Sequence, residues 1–262
     1  MIHQLAAVDK RAKIGKNVVV EPFTTIAADV EIGDGTWIGP NVTIMDGARI
    51  GKNCRIFPGT VISAIPQDLK FDGEDTQVII GDGTTIRECV TVNRGTKALG
   101  YTKIGDDALI MATSHIAHDC ILGDHVIIVN GCGIAGHVEI GDYTVMGGLS
   151  AVQQFCKIGK HTMISGGTLV RKDIPSYIKV AREPMSYAGI NSVGLRRRGF
   201  ANEKIFEIQK IYRYLFQMKM NVSQAMSLIE KEMLPTAERD EILEFIKNSP
   251  RGIVKGYGTA KE

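Results

Sequence analysis

Between Ile110 and Ile140 the chain carries His115, His118, Asp119, Gly136 and His137. A histidine beside a carboxylate is suited to deprotonating a hydroxyl, because imidazole titrates near neutral pH and the carboxylate fixes its orientation. A glycine N–H close to that histidine would stabilise the oxyanion of an acyl transfer. This chemistry requires that residues 118 and 119 meet residues 136 and 137, so the elements that hold them must bring positions 18 apart together.

The rest of the sequence supplies such elements. An aliphatic residue recurs every sixth position from Val8 to Val170, and 25 of those 28 positions are Ile, Val, Leu or Met. A period this strict marks a repeat fold, here a parallel β-helix with one obligatory core side chain per hexad. Two residues earlier stands a small residue (Val30, Thr36, Val42, Ala48, Cys54, Thr60) that shares the inward face, since strand side chains alternate. Glycine commonly follows the aliphatic residue, as at Gly15, Gly33 and Gly51, and reads as a corner needing unusual φ. Three hexads make a triangular coil, and coils stack about 4.8 Å apart. His118 then falls under Gly136 and Gln154, and Asp119 under His137 and Phe155. Lone corner histidines such as His125 and His161 read as solvated.

The exceptions to the period, Asp68, Glu74 and Ala98, lie in residues 63–79 and 93–103, after which the register resumes. These read as loops projecting from a continuous solenoid, and in repeat proteins such excursions cluster on the functional face. From about Ser192 the period becomes helical. Ile205, Ile208, Ile211, Tyr212 and Leu215 form one helix with Asn202 as its expected N-cap, and further helices are expected at about 223–232 and 236–248. The division is therefore a β-helix over 1–190 and a helical part over 191–262 that caps the open end.

Composition narrows the function. The net charge is only +2, which gives no nucleic-acid signal; residues from Asn191 onward carry +4 and the solenoid −2. Five cysteines without a CxxC pair argue against a disulfide framework or zinc ribbon, and Cys54, Cys120, Cys132 and Cys156 take the inward small position. The first residues, MIHQLAAVDK, lack a signal-type apolar core, and no apolar run is long enough to span a membrane. A soluble cytoplasmic protein is expected.

Six segments together carry a family resemblance: QDLKF (67–71), IRECVTVNRGT (86–96), SHIAHDC (114–120), IAGHVEIGD (134–142), QQFCKIG (153–159) and GLRRRGF (194–200). With these segments the chain resembles the UDP-N-acetylglucosamine acyltransferases that start lipid A synthesis, over nearly its whole length. The resemblance implies a left-handed β-helix and a homotrimer with clefts between subunits; handedness does not follow from the repeats, since parallel crossovers generally turn right-handed. It implies His118 as the base that takes the proton of the sugar 3-hydroxyl as that oxygen attacks an acyl carrier protein thioester. Asp119 would orient His118, and the Gly136 N–H would form the oxyanion hole. Asp68, Lys70, His115, His137, Gln154, Asn191, Arg197 and Arg198 would bind substrate, and Gly166 would set acyl-chain length, a glycine leaving room for a long 3-hydroxyacyl chain. No cofactor is implied beyond the phosphopantetheine arm of the carrier protein, and no metal.

Three departures stand out. Asn93 replaces the histidine of the family's HRGT motif, Gln153 that of its HQFC motif, and Ser192-Val193 a usual glutamate. They leave the acceptor open between UDP-N-acetylglucosamine and its 3-amino analogue. Two other functions compete. A zinc enzyme of the γ-carbonic anhydrase type would place His115, His118 and His137 on the metal. The sister N-acyltransferase of the same pathway carries an additional domain before its repeats, whereas here the hexads begin within the first ten residues.

Overall fold

A computed structural model describes residues 1–256. The last six positions of the expected helical part lie outside the described residues. Among the described residues the chain winds into three sheets of nine, eight and eleven strands, each built from every third strand and parallel, except at the C-terminal end of the eleven-stranded sheet, where the last three strands are consecutive. Most strands are two residues long. Neighbours pair at the expected step of 18, as in His115 with Gly133 and Gly133 with Ala151.

The aliphatic position fills the core: Ile38, Ile56, Ile86, Ile110 and Ile134 are fully buried. Burying such a side chain stabilises by roughly 1.5–3 kcal/mol. Inward threonines are satisfied by backbone carbonyls, Thr24 Oγ1 donating to Gly39 O at 2.7 Å and Thr144 Oγ1 to Gly159 O at 2.9 Å. A hydrogen bond of this kind is worth only about 1 kcal/mol net. The aliphatic position therefore dominates, and the small position is free to be Thr, Val, Ala or Cys.

The corners differ from the expectation. The glycines after the aliphatic residue do not take positive φ; they are required by close stacking, since a Cβ on Gly33 would lie 2.6 Å from the carbonyl carbon of Gly51. Positive φ falls two residues later, at Asn17, Gly35, Asn53, Gly83 and Asp107, and continues through His125, Tyr143, His161 and Tyr177. Rings on this corner stack, Tyr143 on His161 at 4.9 Å and His161 on Tyr177 at 5.6 Å. His161 is thus buried rather than solvated, at 8% exposure.

Where the period breaks, the register steps past an excursion. Ile62 pairs with Val92 and Ala48 with Val78, so the first excursion is skipped; Val78 pairs with Thr102, skipping the second. Core packing resumes in phase on both sides.

Beyond the last coil the strand Ile178–Ala181 turns back antiparallel onto Ser186–Ile190. Four helices follow: α1 (Ser192–Arg197), α2 (Asn202–Gln217), α3 (Val222–Glu232) and α4 (Ala237–Lys247). The N-cap of α2 is Ala201, not Asn202, whose side chain instead accepts from Arg196 Nε at 3.1 Å. Helix α2 buries Ile205, Ile208, Ile211, Tyr212 and Leu215 as the spacing predicts. Helix α4 is tied to the solenoid through Glu241, which accepts from Ser176 Oγ at 2.7 Å and Tyr177 OH at 2.8 Å. The chain then returns as Lys255–Gly256, pairing parallel with the Ser186–Ile190 strand and extending the sheet. No helix among the described residues is long and apolar enough to cross a membrane.

Candidate active site

The coil stacking brings His118, Asp119, Gly136 and His137 together at one corner of the solenoid. His118 Nδ1 lies 2.8 Å from Asp119 Oδ2, and both residues are buried, at 5% and 3% exposure. His137 Nε2 is 3.6 Å from the same carboxylate oxygen, and its ring meets that of His118 edge to face at 5.1 Å. Asp119, His137 and Phe155 all adopt positive φ, which turns the corner and sets these side chains in a column. Phe155 stacks on His137 at 4.5 Å.

The far side of the His118 ring lies over Gly136. A Cβ there would sit 2.6 Å from His118 Cε1 and 2.7 Å from Nε2, so only glycine fits. The backbone ladder uses the N–H groups on either side, Ala135 to Val152 O at 3.2 Å and His137 to His118 O at 3.1 Å. The Gly136 N–H donates to no group among the described residues.

Asp119 is fixed by a residue that column reasoning misses. Thr96 donates its backbone N–H to Asp119 Oδ1 at 2.9 Å and its hydroxyl to Oδ2 at 2.7 Å. Burial opposes ionisation of Asp119, but the donors on His118 and Thr96 and the nearby charge of His137 outweigh it and hold the carboxyl below the usual aspartate range. With the carboxylate charged, the Nδ1 nitrogen of His118 is the donor in their hydrogen bond. His115 sits one strand position earlier, half-buried, its Nδ1 2.7 Å from Thr91 Oγ1. Burial, then the charge of His118, lowers its pKa and favours the neutral ring.

A cleft of about 400 Å³ opens beside this cluster, lined by Ala98, Leu99, Asp119, His137, Phe155 and Arg251 among others. The Arg251 guanidinium lies 5.6 Å from the Phe155 ring centre, a cation contributed by the segment after α4.

The other expected site residues lie elsewhere in the chain. Asp68 and Lys70 stand on the first excursion, where Asp68 Oδ1 accepts the Lys70 N–H at 3.0 Å. Gln154 is exposed one coil beyond Gly136. Asn191 is buried and caps α1, accepting from Gly194 N at 3.3 Å and donating to His161 O at 2.9 Å. Arg198 donates to Tyr143 O at 2.8 Å and lies over the Tyr143 ring, with its Nη1 buried and unpaired; Arg197 is exposed. Gly166 is exposed at the next corner, 3.1 Å from Gly148 O measured from a Cβ built on it. No hydrogen bond or ion pair joins these residues to His118, Asp119 or His137 among the described residues. Among the described residues, the donor group that could hold a cation is His118, Asp119 and His137, whose ligand atoms lie within 4.8 Å of one another. It differs from the three-histidine set expected for zinc, because His115 faces Thr91 instead.

Residues 29–64 and 101–136 match the bacterial transferase hexapeptide repeat, and residues 173–254 match the family described as UDP-N-acetylglucosamine O-acyltransferase, domain 2. The acyl-[acyl-carrier-protein]–UDP-N-acetylglucosamine O-acyltransferase of Thermodesulfovibrio yellowstonii is 43% identical over 97% of this chain and 99% of its own length. The solved structure of a UDP-N-acetylglucosamine acyltransferase from Bacteroides fragilis superposes with a TM-score of 0.96 at 46% identity, covering 97% of this chain and 100% of that one. That from Francisella novicida gives a TM-score of 0.95 at 38% identity, covering 98% and 95%. The fold is the left-handed parallel β-helix with a C-terminal helical part. Similar to these proteins over nearly its whole length, the chain belongs to the acyl-[acyl-carrier-protein]–UDP-N-acetylglucosamine O-acyltransferase family.

Proposed function

We propose that this protein transfers a 3-hydroxyacyl chain from acyl carrier protein to the 3-hydroxyl of UDP-N-acetylglucosamine, the first step of lipid A synthesis, with His118 as general base. The observation that carries the mechanism is the 2.8 Å contact between His118 Nδ1 and Asp119, with the opposite edge of the ring over Gly136. His118 Nε2 takes the proton of the sugar hydroxyl as its oxygen attacks the thioester carbonyl carbon. The carbonyl oxygen becomes an oxyanion, which accepts a hydrogen bond from the uncommitted Gly136 N–H. Collapse of the intermediate breaks the carbon–sulfur bond, and the proton held on His118 goes to the departing pantetheine sulfur. Asp119 stays charged throughout and stabilises the imidazolium. The acyl chain arrives on the carrier's phosphopantetheine arm, and this sequence of steps uses no further cofactor or metal.

His115 and His137 line the site, with Gln154 one coil on. The outward column on His115 continues to Leu169 through Gly133 and Ala151, small residues that leave room beside the site for an acyl chain whose length Gly166 would set. Asp68, Lys70, Asn191, Arg197 and Arg198 make no hydrogen bond or ion pair with the His118 cluster among the described residues, which supports a homotrimer in which neighbouring copies complete each cleft. A donor carried on acyl carrier protein supports a cytoplasmic location.

The reading is tested with purified protein, a panel of 3-hydroxyacyl carrier proteins of different length, and both UDP-N-acetylglucosamine and its 3-amino analogue. We expect transfer to UDP-N-acetylglucosamine, insensitive to chelators. Transfer to the amino acceptor alone would overturn the acceptor assignment, and activity lost with bound zinc on chelation would favour a metal on His118, Asp119 and His137.

A further inference from the structure

Four consecutive residues, Asn93 to Thr96, touch both the first excursion and the proposed catalytic pair. Asn93, only 2% exposed, donates from Nδ2 to Ile65 O at 3.1 Å, where the chain leaves the solenoid. The Arg94 N–H donates to Ala64 O at 3.0 Å, and its guanidinium lies 5.4 Å from the ring centre of Phe71 on the excursion. Gly95 holds the returning stem: its N–H donates to Gln77 O at 3.2 Å and its carbonyl accepts from Thr76 Oγ1 at 2.6 Å. A Cβ on Gly95 would lie 2.3 Å from Tyr101 N, so the segment also packs against the stem of the second excursion. Thr96 then donates twice to Asp119.

We propose that Asn93-Arg94-Gly95-Thr96 is a positioning segment with two separable ends, Asn93 holding the entrance of the loop that carries Asp68 and Lys70 and Thr96 aiming Asp119 at His118. The inference rests on the site assignments under Proposed function. Each end of the segment has its own task. Asn93, which stands where the family's motif has a histidine, fixes the loop entrance. Thr96 supplies two of the hydrogen bonds that aim Asp119 at His118.

The two ends separate kinetically. Thr96→Val keeps the shape and the backbone donor but removes the hydroxyl donor to a charged group, so kcat should fall about 10-fold while KM for the sugar nucleotide changes less than about twofold. Thr96→Ser should restore kcat. Asn93→Ala should raise KM for the sugar nucleotide about 10-fold, keep kcat, and speed tryptic cleavage at Lys70, which stays slow in Thr96→Val. An unchanged kcat in Thr96→Val, no rescue by serine, or both variants changing the same constant would overturn the proposal. Should Thr96→Val not fold, the cleavage rate at Lys70 in Asn93→Ala decides, and a rate equal to that of the parent protein rejects the proposal. Full turnover in His118→Ala would reject the base assignment alone, leaving the Asn93 result to stand or fall separately.

Discussion

At the scale of single residues the site depends on close approach. Gly136 has no positive φ to satisfy; its requirement comes from the His118 ring lying where a Cβ would go. Gly136→Ala should therefore fold with a similar melting temperature but displace the imidazole. A shift of that order costs about 100-fold in rate when catalytic geometry is tight. Steady-state kinetics beside a thermal melt check this, and a variant with parent-like kcat would show that the ring position is not critical. The sequence shows this pair because the 18-residue column survives between the two coils. Thr96 is hidden for the opposite reason: it lies 23 residues before Asp119 and across an excursion, so the step that links the other site residues does not reach it. Its only signal is its place in the NRGT segment beside a break in the period.

At the scale of elements, corners and caps carry the information the period lacks. The aliphatic series and the inward small residue are legible because burial acts identically in every hexad. The corner glycines are misread from sequence as conformational, since stacking between coils is invisible in one coil alone. The aromatic corner is equally hidden, because His161 is buried by Tyr143, Tyr177 and Phe200 from other turns and from the segment before α2. Burial, then the charges of Arg198 and Lys160, pushes the His161 imidazole down to about 4. The folded state thus binds the proton less readily than the unfolded chain, in which histidine titrates near 6.5. Stability from neutral His161 is complete above about pH 6.5 and is lost as pH falls toward 4. Melts at pH 7 and pH 5 should show a larger loss for the parent protein than for His161→Phe, which keeps the stacked ring and removes the titration. Equal losses would mean that His161 does not govern this window.

At the scale of the molecule, the solenoid is a ruler on which chemistry is mounted at fixed intervals. Its last coil is closed by the Ile178–Ala181 and Ser186–Ile190 hairpin, the helices and the returning Lys255–Gly256 strand. The helices are legible from their 3.6-residue spacing, whereas the hairpin and the final strand are not, because short pairings that occur once leave no periodic trace. Handedness is also absent from the period and enters through likeness to solved relatives. The role proposed for His118 is that of the base in an acyl transfer. It is tested most directly by comparing turnover of acyl carrier protein thioester and UDP-N-acetylglucosamine by the parent protein and by His118→Ala. A general base contributes roughly 10²–10⁴-fold, so the account predicts at least a 100-fold fall in kcat with an unchanged melting temperature; near-parent turnover in a folded variant would contradict it.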